Sequence, residues 1–156
     1  MGGMKNMKKE KIMLYDEMRA KHQERVNSLP MYFAFGDAQF KELMQKLGYQ
    51  EEENFLNDIF TIGAGSIVLK KDRDLVLNTF LENDKEMLQA FENDDFLLSA
   101  FEFELSNHEY IITYDISDTL RALGISWEEY QKDERMKTIM KKAVENYKKD
   151  MEKFGW

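Results

Sequence analysis

Apolar residues recur along this chain mostly at three-to-four spacing, the period of a helix buried on one face, and the exceptions are a few short aromatic or β-branched runs. Residues 4–28 read as one helix with a sparse stripe of Ile12, Tyr15, Met18 or Arg19, and Val26 among charges. It should stop near Ser28, because Pro30 biases the residue before it away from helical backbone. Met31-Tyr32-Phe33-Ala34-Phe35 then predicts a strand, and Asp37 an N-cap for a helix carrying Phe40, Leu43, Met44 and Leu47 with Gly48 as its C′ residue. A short acidic helix over 51–58 leads to two apolar runs, 59–62 and 66–69, whose intervening Gly63-Ala64-Gly65 predicts a β-hairpin. Asp72 is a candidate cap for a helix turning Leu77, Leu81, Leu88 and Phe91 to one side. The pattern restarts after Asn93 with Leu97, Leu98, Phe101 and Leu105, and Tyr110-Ile111-Ile112-Thr113-Tyr114 reads as a further strand. Ser117 or Asp118 opens a short helix closed by Gly124, Ser126-Trp127-Glu128-Glu129 has the form of a capping box, and residues 134–153 make a basic amphipathic helix. Its predicted inward face is Met136, Ile139, Met140, Ala143, Val144 and Tyr147.

These elements predict a single α+β domain over 1–156, helix-dominated, with a small antiparallel sheet of three to four short strands at 31–35, 59–62, 66–69 and 110–114. An N-terminal helix (1–28) would extend from a core (29–124) followed by a C-terminal helical segment (125–156). Residues 31–53 and 110–129 share an order of aromatic run, acidic cap, short helix and Leu-Gly. That order reflects recurrent helix-capping chemistry more than a duplicated unit.

Composition narrows the function classes. With 43% hydrophobic residues in 156 the chain can build a real core, and with no cysteine it can hold neither a disulfide, a zinc–thiolate site nor a cysteine nucleophile. No apolar run approaches the roughly 18 residues a membrane span needs, and charged residues follow the N-terminus where a signal peptide would be apolar. A soluble cytoplasmic protein with no membrane partner is expected.

The net charge of −8 is unevenly placed. Residues 51–134 carry 21 acidic and 6 basic side chains, while residues 1–50 carry 6 and 9 and residues 135–156 carry 3 and 7. Such a distribution fits a solvated helix surface, basic ends folded back on an acidic middle, or an exposed acidic face that competes with nucleic acid for a basic partner. In the third reading the partner-binding residues are Glu82, Asp84, Glu86, Asp94 and Asp95. Direct nucleic-acid binding through this segment is disfavoured, since neutralising phosphates requires lysine and arginine.

Candidate chemistry is sparse. Gly63-x-Gly65 resembles a phosphate loop only in its glycines, because strand rather than helix follows it. His22 lies in a charged helix and reads as solvated, which leaves His108 as the histidine available for chemistry and gives nucleophilic triads little support. Glu104 and His108 sit one helical turn apart, with Asn107, Glu109, Asp115 and Asp118 nearby. A carboxylate and an imidazole at that spacing can share a divalent metal, for which Glu104, His108, Glu109 and Asp115 are the candidate ligands. The same spacing equally gives a Glu–His contact that orients a histidine at a helix end, with Asp115 and Asp118 as caps. No cofactor is otherwise expected, and the balance favours binding over catalysis.

The residues Leu29-Pro30, Phe33-Ala34-Phe35, Gln39-Phe40, Ile62-Gly63-x-Gly65, Glu104-Leu105-x-Asn107-His108-Glu109-Tyr110, Thr113, Asp115, Asp118-Thr119-Leu120 and Ala122-Leu123-Gly124 resemble an uncharacterised family of small acidic proteins found in phages and mobile elements of Firmicutes. The family carries no assigned activity and so implies no catalytic residue. At the hairpin, where that family has a run of glycines, this chain has Ala64 and Ser66. What the resemblance implies is context: proteins of this kind often bind and block host machinery, including nucleases of defence systems.

Overall fold

Helices follow one another for most of the chain, interrupted by a short antiparallel sheet. The structure, a computed structural model, describes residues 13–155. In order it comprises α1 (Tyr15–Asn27), β1 (Tyr32–Phe33), α2 (Asp37–Lys46), α3 (Glu52–Asp58), β2 (Ile59–Phe60), β3 (Ser66–Leu69), a 3-10 turn (Lys70–Asp72), α4 (Arg73–Ala90), α5 (Asp94–Asn107), α6 (Tyr110–Thr113), α7 (Ser117–Ala122), α8 (Trp127–Lys132) and α9 (Glu134–Lys153). This is the predicted helix-dominated α+β class with a small antiparallel sheet. The expected helix over 4–28 holds from Tyr15 to Asn27, and its residues 4–12 lie outside the described part.

The described chain packs as two compact units, residues 21–86 and residues 13–20 with 87–155, and both α1 and α4 contribute residues to each. In the 21–86 unit the strand order is β1-β3-β2, with Tyr32 opposite Ile67, Ile59 opposite Leu69 and Phe60 opposite Val68, all antiparallel. Leu43, Phe55, Ile67 and Leu69 form its buried centre, with Phe40, Met44, Tyr49 and Ile59 packed around them. The hairpin turn places Gly63, Ala64 and Gly65 all at positive φ (101°, 51° and 73°). A Cβ on Gly65 would come within 2.7 Å of the Phe35 ring and 3.1 Å of the Ala34 carbonyl, so glycine is required there by both its φ and its neighbours. Phe35 itself is 66% exposed, and the predicted strand 31–35 is realised only at Tyr32 and Phe33, opposite Ile67 and Ser66.

The other unit is built on α5 and α9, which pack along each other more extensively than any other two elements. Phe96, Leu97, Ala100, Phe101 and Leu105 of α5 meet Ile139, Met140, Ala143 and Tyr147 of α9 in one cluster that also takes in Tyr15, Phe91, Leu120, Leu123 and Ile125. Side-chain caps start these helices: Asn93 accepts from the Phe96 amide, Ser126 from Glu129 and Asp133 from Met136. Asp37 does not act as the cap expected of it. It is the first helical residue, behind Gly36, and α2 begins with no side-chain cap bond. Asp72 ends the 3-10 turn that runs into α4.

Two expectations fail on tertiary grounds. Where a strand over 110–114 is predicted, Tyr110–Thr113 form a helical turn, bracketed by Glu109 and Tyr114 in left-handed backbone at φ 53°. The Ile111 amide donates to Tyr147 Oη at 3.2 Å and the Tyr110 ring meets Tyr147 edge-on, so α9 supplies the partners that a neighbouring strand would have given. On α4, Leu81 and Leu88 are 64% and 66% exposed, and the inward row is Val76, Phe80, Asn83, Met87 and Ala90. A polar residue at the middle of that row hid it, and Asn83 is accommodated because its Oδ1 accepts from Arg25 Nη1 at 3.0 Å.

Candidate functional site

The carboxylate–histidine cluster forms where α5 ends. Burial of Leu105 and Phe101 turns Glu104 inward with them, to 2% exposure. Its Oε1 accepts a 2.7 Å hydrogen bond from Tyr15 Oη at the start of α1, and Oε2 accepts from Asn107 at 3.3 Å. Desolvation, the bond to Glu104 and the charge of Glu104 push the Tyr15 phenol well above its usual range, which keeps it a donor. His108 Nε2 lies 3.2 Å from Glu104 Oε2, an ion-pair distance, yet off the line that a ring N–H hydrogen bond needs. The Arg19 guanidinium lies 4.7 Å from the Phe103 ring centre and 5.8 Å from that of Tyr15.

The structure therefore brings Glu104 and His108 together as their spacing predicts, and leaves Glu109 and Asp115 exposed apart from them. Among the described residues no group of three or more His, Asp or Glu side chains is placed to hold a metal ion. Asp115 Oδ1 accepts from the Ser117 amide at 2.8 Å, and the bonds from Ser117 hold its carboxyl below the usual range. Asp118 pairs with Arg121 on the surface of α7. Chemically the cluster is a buried acceptor with one strong phenolic donor, an arrangement that anchors α1 to α5 within its unit.

The acidic residues divide by environment. Glu82 and Asp84 on α4 and Asp95 on α5 are exposed and enter no ion pair among the described residues. Glu86 is engaged instead: Arg25 Nη1 lies 2.7 Å from its Oε1, with His22 at 3.1 Å and Lys21 at 3.7 Å from its Oε2. His22, expected in solvent, has a side chain only 12% exposed. Asp94 accepts from Arg135 Nε at 2.6 Å, while Arg135 Nη2 bonds the Phe91 carbonyl. Both engaged carboxylates are met by arginines from outside the acidic segment, so part of the basic ends does fold back on the acidic middle. The sequence signal available for these pairs was only the charge count.

Burial acts to raise the Glu86 carboxyl, but the bonds from His22 and Arg25 and the charges of Arg25 and Lys21 outweigh it and hold the group below its ordinary 4.5. A lowered carboxyl contributes stability that is present above the unfolded value and is lost as pH falls from there through the lower folded value. Glu86→Gln is therefore expected to lower stability near neutrality by about 1 kcal/mol or less and to flatten the acid limb. Melting curves between about pH 3 and pH 7 check this; an unchanged acid limb would count against the network.

No helix among the described residues is long and apolar enough to cross a membrane. A family model described as a family of unknown function (DUF7659) matches residues 14–146. No curated protein matches the chain, and no solved structure does.

Proposed function

We propose, given that the chain belongs to the family of unknown function DUF7659 and so inherits no activity from it, that it is a non-enzymatic accessory protein of a phage or mobile element. It works in the cytoplasm by binding and inhibiting a host protein through an acidic, nucleic-acid-like surface, and a nuclease of a defence system is the target such a surface fits best. The observation that supports this reading is that Glu82 and Asp84 in one unit, and Asp95 in the other, are exposed and without ionic partners among the described residues, while the other acidic candidates, Glu86 and Asp94, are neutralised internally. Unpaired surface carboxylates set a negative potential that steers a basic partner and repels nucleic acid.

Capture from host lysate on the immobilised chain tests it at about 0.05 M and about 0.5 M salt, between which the screening length shrinks roughly threefold. A basic protein retained at low salt, released at high salt and lost with combined Glu82→Lys, Asp84→Lys and Asp95→Lys is the expected result. Capture that ignores both salt and charge reversal would overturn the reading.

A further inference from the structure

The turn from β3 into α4, Lys70-Lys71-Asp72-Arg73, places three cations within four residues. None of the three enters an ion pair among the described residues. Lys70 and Arg73 line an open cleft of about 400 Å³ whose other walls are Phe60 of β2 and Leu77 of α4, both half-buried. Among the described residues no carboxylate lines it. Lys70 also lines, with Lys71, Tyr49, Asp58 and Leu69, a smaller cleft of about 190 Å³. There the negative charge is already supplied by Asp58, which accepts from Tyr49 Oη at 2.7 Å. The two clefts therefore differ in kind, since only the larger joins an apolar floor to two cations with no acid among its walls.

We propose that the larger cleft binds a small phosphorylated planar molecule, with the chemistry of a nucleoside monophosphate. Its volume falls in the range of small-molecule sites, roughly 300–1,000 Å³. The guanidinium of Arg73 matches a phosphate as a fork of donors and Lys70 adds a compact second charge. The ring lies against Phe60 and Leu77, whose half-exposed apolar surface it covers. The paired strands β2 and β3 fix Phe60 relative to the turn that carries Lys70, and α4 carries Arg73 and Leu77 one turn apart on one side. This site stands apart from the acidic surface in both charge and residues, so it does not depend on the partner proposed for that surface.

Titration calorimetry on the full chain tests the proposal with AMP, adenosine and inorganic phosphate as three separate probes. AMP is expected to bind saturably, and adenosine and phosphate each at least about tenfold more weakly, the loss of roughly one good interaction. Combining Lys70→Gln with Arg73→Gln should weaken AMP by about tenfold or more, whereas Lys71→Gln, which changes only the smaller cleft, should leave it unchanged. In the unaltered chain, AMP should shift the ring resonances of Phe60 and not those of Tyr49. Absence of saturable AMP binding, phosphate binding as tightly as AMP, indifference to the double substitution, or resonance shifts that spare Phe60 would each overturn it.

Discussion

Phe101→Ala is expected to destabilise the protein by about 3–5 kcal/mol, the usual result of truncating a fully buried phenylalanine, and so to remove much of a total that for a domain is about 5–15 kcal/mol. Phe101 is fully buried, and so are Leu97, Ala100 and Leu105 on its own helix and Ala143 on α9. The hole left by the ring is walled by two long helices that hold each other in place, so collapse into it is limited and the cavity adds to the lost transfer energy. Leu81→Ala is the informative contrast. That leucine falls on the face the sequence pattern predicts as buried, but it is 64% exposed and should change stability by only about 0.5 kcal/mol or less. Urea midpoints of the two variants check both statements. A Phe101→Ala loss below about 1 kcal/mol, or a Leu81→Ala loss of core size, would mean that α4 and α5 are turned otherwise than described.

That contrast also shows what hydrophobic periodicity can decide. On α9 the apolar positions lie on one side and charges on the other, so one orientation buries carbon without burying charge; of the six predicted inward residues Ile139, Met140, Ala143 and Tyr147 are buried, and Met136 and Val144 pack partly buried against the same cluster. On α4 leucines occupy a second face, and the row that turns inward contains Asn83, which a hydrophobic count reads as a solvent position. Only knowledge that Arg25 reaches Asn83 from α1 makes that row acceptable. Residues 110–114 failed for a related reason. Aromatic and β-branched side chains fit a pleated, half-buried surface, and Tyr147 on α9 offers a comparable surface to a helical turn. Local signals fared better: Leu47-Gly48-Tyr49 and Leu123-Gly124-Ile125 both end helices with the last residue's amide bonded five residues back, to Met44 and Leu120. The echo between the two segments is real as capping and false as strand.

At the polar sites, short separations were legible and long ones were not. Four residues separate Glu104 from His108, a contact fixed by helical pitch alone. The strongest bond to Glu104 comes from Tyr15, 89 residues away, and Arg25 and Arg135 reach their carboxylates across 61 and 41 residues. Charge counting along the chain identified basic ends and an acidic middle, but each such pair is chosen by the packing of apolar faces that bring two helices to one place. Lys70 and Arg73 likewise carry no sequence signal of a shared cleft, because the cleft exists only once β2 and α4 lie side by side.

Tyr15→Phe is expected to lower stability by about 1–3 kcal/mol at neutral pH, because it leaves a buried carboxyl without its best donor while removing no carbon from the core. Asn107 at 3.3 Å and the misaligned His108 remain, and neither replaces a 2.7 Å phenolic bond. The ring contacts of Tyr15 with Phe96 and Phe103 survive the substitution, which isolates the hydroxyl. In a Glu104→Leu background the same change should matter little, since both ends of the bond are then apolar, and the difference between the two effects measures the coupling. The pH dependence has a fixed sign. A phenol raised above its ordinary 10.0 stays protonated in the folded chain while the unfolded chain ionises, so its contribution is complete below pH 10 and declines as pH rises beyond it. The stability gap between the natural chain and Tyr15→Phe should therefore narrow above about pH 10. A gap that is absent at neutral pH, or that persists unchanged into strong alkali, would show that Tyr15 does not hold α1 to Glu104.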